Sequence, residues 1–337
     1  MEAQEVIQHI KNHYTIEVQK IEKIKNVYKI YGKDDVYCLK VIKYNFPHFL
    51  FIISAIRHLQ NNGFEKVPTF INTKDGESYI KLENNYAYLT PWIHARECNY
   101  DNPLDVKVAA KKLSELHKCS ENFNVTMEMK PRIGWLKWFK VFSTRIDEIY
   151  DFRRRISKKE KLTEFDELYI DMMEEEIERG KYTLKNLSES NYIFKMKEEI
   201  KNRGFCHHDY AHHNVLISAN KDVNIIDFDY CMLDTHLHDL SSLLIRVMKN
   251  GRWDIMKGEF IINSYNEINR VFQDDIPVMA AFMEFPQEYW QVGIQYYWEK
   301  QPWEEELFLK KLKKIQEDKY DREEFIEVFR TMKYNGG

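Results

Sequence analysis

Between Gly204 and Asp229 the chain reads GFCHHDYAHHNVLISANKDVNIIDFD, a dense run of groups able to hold a proton or a cation. Four of the twelve histidines, His207, His208, His212 and His213, fall within seven positions, with Asp209 among them and Asn214 just behind. Two short apolar runs, residues 214–217 and 223–226, flank the turn signal ANKD, so a hairpin is expected. Its strand ends would bring Asn214 and Asp227 toward one point. Amide and carboxylate oxygens of this kind suit Mg²⁺, a hard cation that keeps part of its water shell and binds phosphate. Asp209, on the loop before the first strand, is placed to accept or orient the proton of a hydroxyl. One such carboxylate, with an Asn and an Asp as metal ligands, is the minimal set for phosphoryl transfer. Zinc is the competing reading of the histidines, but no fourth ligand stands at a suitable spacing. A polar loop with a purely structural role is the other alternative.

The segments before and after this run must position it. Residues 2–13 read as a short helix. YTIEVQKIEKIKNVYKIY and DDVYCLKVIKY are two strand-like segments joined at the turn GKDD. FPHFLFIISAIRHLQNNG has helical spacing of apolar residues, with Pro47 near its start and Gly63 at its end. VPTFINTKDGESYIKLENNYAYLTPWI resembles further strands, with KDGE as a hairpin turn. After Trp92 the texture becomes helical. DVKVAAKKLSELHKCS carries Asp105 in its first turn and Val108, Leu113 and Leu116 among its buried candidates. GWLKWFKVFSTRIDEIYDFRRRI and KLTEFDELYIDMMEEEIERGKYTLKNL form two long helices joined at SKKE. The expected architecture is α+β and two-lobed: a small antiparallel sheet with helix over residues 1–93, then a mostly helical lobe over 94–337 that carries the hairpin at 205–230.

Composition narrows the partners. A net charge of -4 over 337 residues offers no global basic field for nucleic acid. Five scattered cysteines without a CxxC pair argue against a disulfide framework and for a reducing compartment. The first residues are too polar for a signal-peptide core, and no uncharged apolar run reaches membrane-spanning length, so cytoplasmic synthesis and no membrane partner are expected.

His207, Asp209 and Asn214, followed by Asp227–Phe228–Asp229, resemble the HxDxxxxN and DFD motifs of the aminoglycoside phosphotransferase and choline kinase superfamily, which has a kinase-like fold. HLHDLSSLL, with Asp239, is similar to the helix start that follows in that superfamily. Within it, HHDYAHHNVL, IIDFDYC, IGWLKW and FPQEYWQVGIQYYW resemble the CotS-like spore-coat proteins, and the likeness spans almost the whole chain. The resemblance implies an ATP- and Mg²⁺-dependent phosphotransferase with a hydroxyl acceptor, located at the spore coat. Asp209 would be the catalytic aspartate and His207 its neighbour bracing the loop. Asn214 and Asp227 would hold Mg²⁺, with Asp229 assisting. Lys40 would contact the nucleotide phosphates, Cys38 on the same strand face would pack on adenine, and the Pro91–Trp92–Ile93 backbone would read the adenine edge.

Three departures qualify the resemblance. Residues 22–29, EKIKNVYK, contain no glycine where close backbone approach to phosphate is usual, so Asn26 is the stand-in. Residues 49–62 contain no acidic partner for Lys40, and Ser54 and Glu65 are weak substitutes. Ala211 stands where the superfamily has a second histidine. A non-catalytic kinase-like protein that builds the coat is therefore the rival expectation. Drug phosphorylation, a further rival, would want an acidic acceptor pocket.

Overall fold

The two-residue pleat of VYCLKVI sets which side of the first sheet meets which partner. A computed structural model describes residues 3–334. Helix α1 (Ala3–His13) precedes strands β1 (Lys20–Ile24), β2 (Val27–Tyr31) and β3 (Val36–Ile42); helix α2 (Phe46–Asn61) follows, then β4 (Ile80–Leu82) and β5 (Asn85–Pro91). The strands pair in the order β1-β2-β3-β5-β4, all antiparallel. On one face Leu39 joins Ile30, Ala87 and Leu89 in an apolar cluster closed by Val6 and Ile10 of α1, with Tyr37 and Val41 packed against it. Cys38, Lys40 and Ile42 take the opposite face, where Ile42 and Tyr88 join the core built around α2.

Helix α2 begins where Asn45 accepts the His48 N–H, with Pro47 in the first turn. Phe49, Phe51, Ile52, Ile53, Ile56 and Leu59 are all buried, so most of its circumference is core. A carboxylate on it would be costly to bury.

Two strand expectations are corrected. The segment before Gly32 is a hairpin rather than one strand: β1 and β2 reverse at Lys25–Asn26, with Ile24 opposite Val27 and Lys25 in the left-handed region at φ 52°. No glycine marks that turn, which hid it. KDGE does turn, with Gly76 at φ 83°, but no ladder flanks it. The Thr73 N–H donates to the Glu77 carbonyl at 2.7 Å and the Glu77 N–H to Thr73 Oγ1 at 3.1 Å, closing a local loop. The hairpin reversal comes later, at residues 83–84 between β4 and β5.

The chain leaves the first sheet at Pro91 and enters a second after three residues. Strand β6 (Ala95–Glu97) pairs with β7 (Val215–Ser218), which pairs with β8 (Val223–Ile225). Around this sheet stand α3 (Pro103–Ser120), α4 (Trp138–Ile156), α5 (Glu164–Glu189), α6 (Tyr192–Asn202), α7 (His236–Met248), α8 (Ile255–Tyr265), α9 (Ile276–Glu284), α10 (Gln287–Gly293) and α11 (Glu305–Thr331). In α3, Leu113 and Leu116 are buried with Val106, Ala109 and Ala110, whereas Val108 is exposed. Helix α4 starts at Trp138 rather than at Gly134, because Leu136 takes φ 62° and cannot continue a right-handed helix backward. Residues 132–134 run instead beside 233–234. The Gly134 N–H donates to the Leu233 carbonyl at 2.8 Å, and the Leu233 N–H to the Arg132 carbonyl at 3.0 Å.

A Cβ at Gly134 would collide with the Asp234 carboxylate, which is itself buried. Gly134→Ala should therefore lower stability by about 1–3 kcal/mol through overpacking, seen as a reduced urea midpoint. A variant as stable as the wild type would contradict the seating of residues 132–134 against the segment after the DFD motif.

Candidate active site

Lys40 is only 4% exposed, and its ammonium lies 3.0 Å from Asp227 Oδ1 and 3.0 Å from Asp229 Oδ2. Burial opposes its charge, but Asp229 and Asp227 outweigh burial and raise its pKa above the ordinary lysine value. The lysine takes both partners from the second lobe and none from α2. The two carboxylates thus share one ammonium. Burial, followed by the repulsion from Asp227, raises the pKa of Asp229. Asp227 faces the same burial, yet Lys40 holds its pKa below the usual carboxylate range.

This cluster has one more negative charge than positive when both acids ionise. Asp229 Oδ1 is buried without a hydrogen-bond partner. A surplus carboxylate oxygen beside an ionised one is the donor chemistry of a divalent hard cation, so the residues fit Mg²⁺. Asp227 itself sits at φ 64°, ψ 66°, a strained conformation for a residue with a side chain.

The loop before β7 converges on the same place. The Ile226 N–H donates to the Asn214 carbonyl at 3.0 Å, so Asn214 stands beside the residue that precedes Asp227. Asn214 is buried, and its Nδ2 donates to the Asp209 carbonyl at 2.9 Å and to Asp209 Oδ2 at 3.2 Å. Its Oδ1 is thereby turned away from Asp209. The other carboxylate oxygen of Asp209, Oδ1, accepts from Arg246 on α7 at 2.8 Å. Asp209 and Arg246 are each about one-third exposed at the side chain, 30% and 35%. A reacting hydroxyl could therefore reach Asp209 from solvent.

His207 is fully buried and does not face the cleft. Its Nε2–H donates to the Ile226 carbonyl at 2.9 Å, and Nδ1 accepts the Asp209 N–H at 3.3 Å. It ties the loop to the strand that leads to Asp227, a positioning role. Asp239 fixes the loop from below. Its carboxylate accepts the His207 N–H at 2.7 Å and the His208 N–H at 3.0 Å, and it also bonds the His117 and His238 rings. Burial alone would raise its pKa; the bonds to His117 and His238 prevail and hold it well below the ordinary value. His208 takes φ 68° and its ring lies parallel to His238 at 4.0 Å.

The four histidines do not converge. His207 and His208 point into the lobe, whereas His212 and His213 are exposed on a short 3-10 turn. Among the described residues one His/Cys/carboxylate group is compact: His117, Cys206 and Asp239. Its atoms are already engaged. His117 Nδ1 meets Tyr265 Oη at 2.7 Å, Cys206 donates to the Thr235 carbonyl at 3.0 Å, and Asp239 holds the loop.

Of the other expected residues, Cys38 lies two residues from Lys40 on the cleft side, half-buried; burial pushes its thiol pKa up to about 11. Asn26 is at the exposed tip of the β1–β2 hairpin. Pro91, Trp92 and Ile93 form the crossing between lobes. The Trp92 N–H donates to the Val36 carbonyl at 2.8 Å, so that donor is not free for a nucleotide. Lys29 covers the Trp92 ring at 4.5 Å. Sequence reasoning missed Arg246, which no motif marks, and the two bonds by which Asp239 fixes the loop.

The family model described as "Spore coat putative kinase YutH" matches residues 7–329. Spore coat protein S of Bacillus subtilis (strain 168) is 24% identical over 261 residues, 77% of this chain and 74% of that protein. The crystal structure of an aminoglycoside phosphotransferase from Alicyclobacillus acidocaldarius superposes with a TM-score of 0.84 at 20% identity, covering 96% of this chain and 95% of that one. Spectinomycin phosphotransferase in complex with ADP and spectinomycin gives 0.69 at 17% identity, covering 98% and 99%. The two-lobed, kinase-like α+β fold is thus shared with the phosphotransferases.

Asp239→Asn keeps the shape but loses the charge that two backbone N–H groups and two imidazoles face. It should cost about 2–4 kcal/mol at pH 7 in urea unfolding. Because the folded-state pKa of Asp239 is depressed, its contribution is complete above about pH 4 and is lost as pH falls toward the folded value. The gap between wild type and variant should therefore narrow in acid. A gap that widened there would remove Asp239 from this role.

Proposed function

This chain belongs to the kinase-like spore-coat family whose model it matches along nearly its whole length, and we propose that it transfers the γ-phosphoryl group of ATP to a hydroxyl of a small molecule or coat component. The observation that carries the reading is a pair of side-chain groups joined by the β7–β8 hairpin: Lys40 of β3 with Asp227 and Asp229 after β8, and Asp209 with Asn214 in the loop before β7, Asn214 standing beside Ile226, the residue that precedes Asp227.

The chemistry follows from what each group can do. The acceptor hydroxyl oxygen forms a bond to the γ-phosphorus while the bond to the β–γ bridging oxygen breaks, and that oxygen leaves on ADP with the electron pair. The hydroxyl proton passes to Asp209. Asn214 keeps Asp209 oriented through its amide, and Lys40 faces the phosphates at the floor of the cleft. Cys38 lines the adenine side, with Asn26 above and the backbone of Pro91, Trp92 and Ile93 at the edge. Asn214 Oδ1, Asp227 and Asp229 would hold Mg²⁺, which when bound neutralises phosphate charge. His207 keeps the loop and the Asp227 strand in register. The family and the relative from Bacillus subtilis support action at the spore coat, on or within an assembly of other coat proteins. Among the described residues no helix is long and apolar enough to cross a membrane.

Three substitutions test this. Lys40→Met should weaken ATP binding about tenfold or more in calorimetry, since a buried cation facing the phosphates is lost. Asp227→Asn should abolish the Mg²⁺ dependence of nucleotide binding. Asp209→Asn should leave Mg–ATP affinity unchanged yet lower phosphoryl transfer by roughly 10²-fold or more. Transfer untouched by Asp209→Asn would overturn the assignment. A wild type unable to bind Mg–ATP would favour a structural coat protein, the reading supported by the glycine-free hairpin.

A further inference from the structure

The groups around Asp209 say what kind of acceptor this site is built for. Its nearest charged neighbour is a cation, Arg246, bonded to Oδ1 at 2.8 Å. Beside it lies a cavity of about 460 Å³ between the start of α3, the end of α7 and the start of α8. Two of its walls adjoin the candidate base. Val247 follows Arg246 in the chain, and the Tyr100 hydroxyl donates to the carbonyl of Tyr210, the residue after Asp209, at 3.1 Å. Pro103, Val106, Phe260 and Ile261 complete an apolar lining, and the charges are Arg252, Lys257 and Asp101. Asp101 pairs with Arg252, which leaves Lys257 without a carboxylate partner in the cavity.

Building on the phosphotransferase reading, we infer that the acceptor is an alcohol with an apolar body and an anionic group. A polycation would meet three cations, Arg246, Arg252 and Lys257, against two carboxylates, Asp209 and Asp101, each already paired with an arginine, a poor match. An anion gains from Lys257 outright and from the two arginines by sharing them with their carboxylates. It also supplies a trigger. In the structure both oxygens of Asp209 are engaged, Oδ1 by Arg246 and Oδ2 by Asn214. When the anionic group of the acceptor takes the Arg246 guanidinium, Oδ1 is released and can accept the hydroxyl proton as the oxygen bonds to the γ-phosphorus and ADP departs. Acceptor specificity then resides in α3, α7 and α8.

The test uses three matched probes on the full chain: 4-nitrophenyl β-glucuronide (anionic), β-glucoside (neutral) and β-glucosaminide (cationic). Binding is measured by calorimetry with Mg²⁺ and a non-hydrolysable ATP analogue present, and transfer with labelled ATP. The glucuronide should bind at least tenfold tighter than the glucoside, with the glucosaminide weakest. The double variant Arg252→Ala/Lys257→Ala should erase most of that preference while its ATP-analogue affinity and circular dichroism stay those of the wild type. Equal or tighter binding of the glucosaminide overturns the inference. So does a preference that survives in the double variant, or no glycoside binding by a chain that binds nucleotide; in each case the phosphotransferase reading still stands. Failure to bind nucleotide at all would bring down that reading, and this inference with it.

Discussion

A lysine ammonium that is almost wholly withdrawn from water must find its counter-charges or lose its proton, and the nearer in sequence of the two that Lys40 finds, Asp227, is 187 residues away. Removing such an ion from water costs several kcal/mol, recovered only when the partners are close and well aligned. The 3.0 Å contacts to Asp227 and Asp229 therefore tie β3 of the first lobe to the hairpin of the second. Much else follows from that constraint. The strand must present Lys40 and Cys38 inward, which commits Leu39 and its neighbours to the α1 side. The β7–β8 hairpin must end where Asp227 can reach across, which accepts a left-handed backbone at that residue. Because the neutralising carboxylates come from the second lobe, α2 is free to be apolar and to serve as core.

The same economy governs the loop that carries Asp209. Its backbone is unusual, with His208 at φ 68°, a conformation that costs on the order of 1–3 kcal/mol for such a residue. Asp239 offsets the cost by accepting two consecutive N–H groups from the strained turn, and His207 adds a bond to the Ile226 carbonyl. Asp209 thus needs no large motion to stay aligned with Asn214 and Asp227. Its remaining freedom is in the side chain, where Arg246 and Asn214 compete with any incoming hydroxyl for its oxygens.

Much of this was legible in the residues. The order Asp209, Asn214, Asp227 around a turn signal implied a hairpin with polar strand ends, and alternation in VYCLKVI implied that Cys38 and Lys40 share a face. What was not legible has physical reasons. The β1–β2 reversal uses Lys25 and Asn26 rather than glycine, so composition does not announce it. The pairing of β6 with β7 spans more than a hundred residues and leaves no periodic trace. Arg246 belongs to the site only because two turns of α7 carry it past Asp239 to Asp209, a fact of helix geometry combined with the tertiary position of α7. Val108 was misjudged because an apolar residue in an amphipathic helix can still fall on the solvent side.

Of the three departures from the phosphotransferase pattern, the two in the first lobe do not weigh equally. A missing glutamate on α2 would signal an eroded site if Lys40 were left without a counter-charge or turned away. It is neither: two carboxylates already neutralise it, and their surplus charge is what a divalent cation requires. In the proposed reaction, entry of nucleotide phosphates would let those carboxylates exchange the lysine for the cation. The glycine-free hairpin is the heavier departure. A side chain at every position from residue 22 to residue 29 keeps the backbone amides farther from any phosphate than glycine would. Nucleotide binding as proposed would rest there more on charge than on backbone N–H donors, and side-chain charge at an exposed tip is screened by salt, whereas the interior contacts of Lys40 are screened far less.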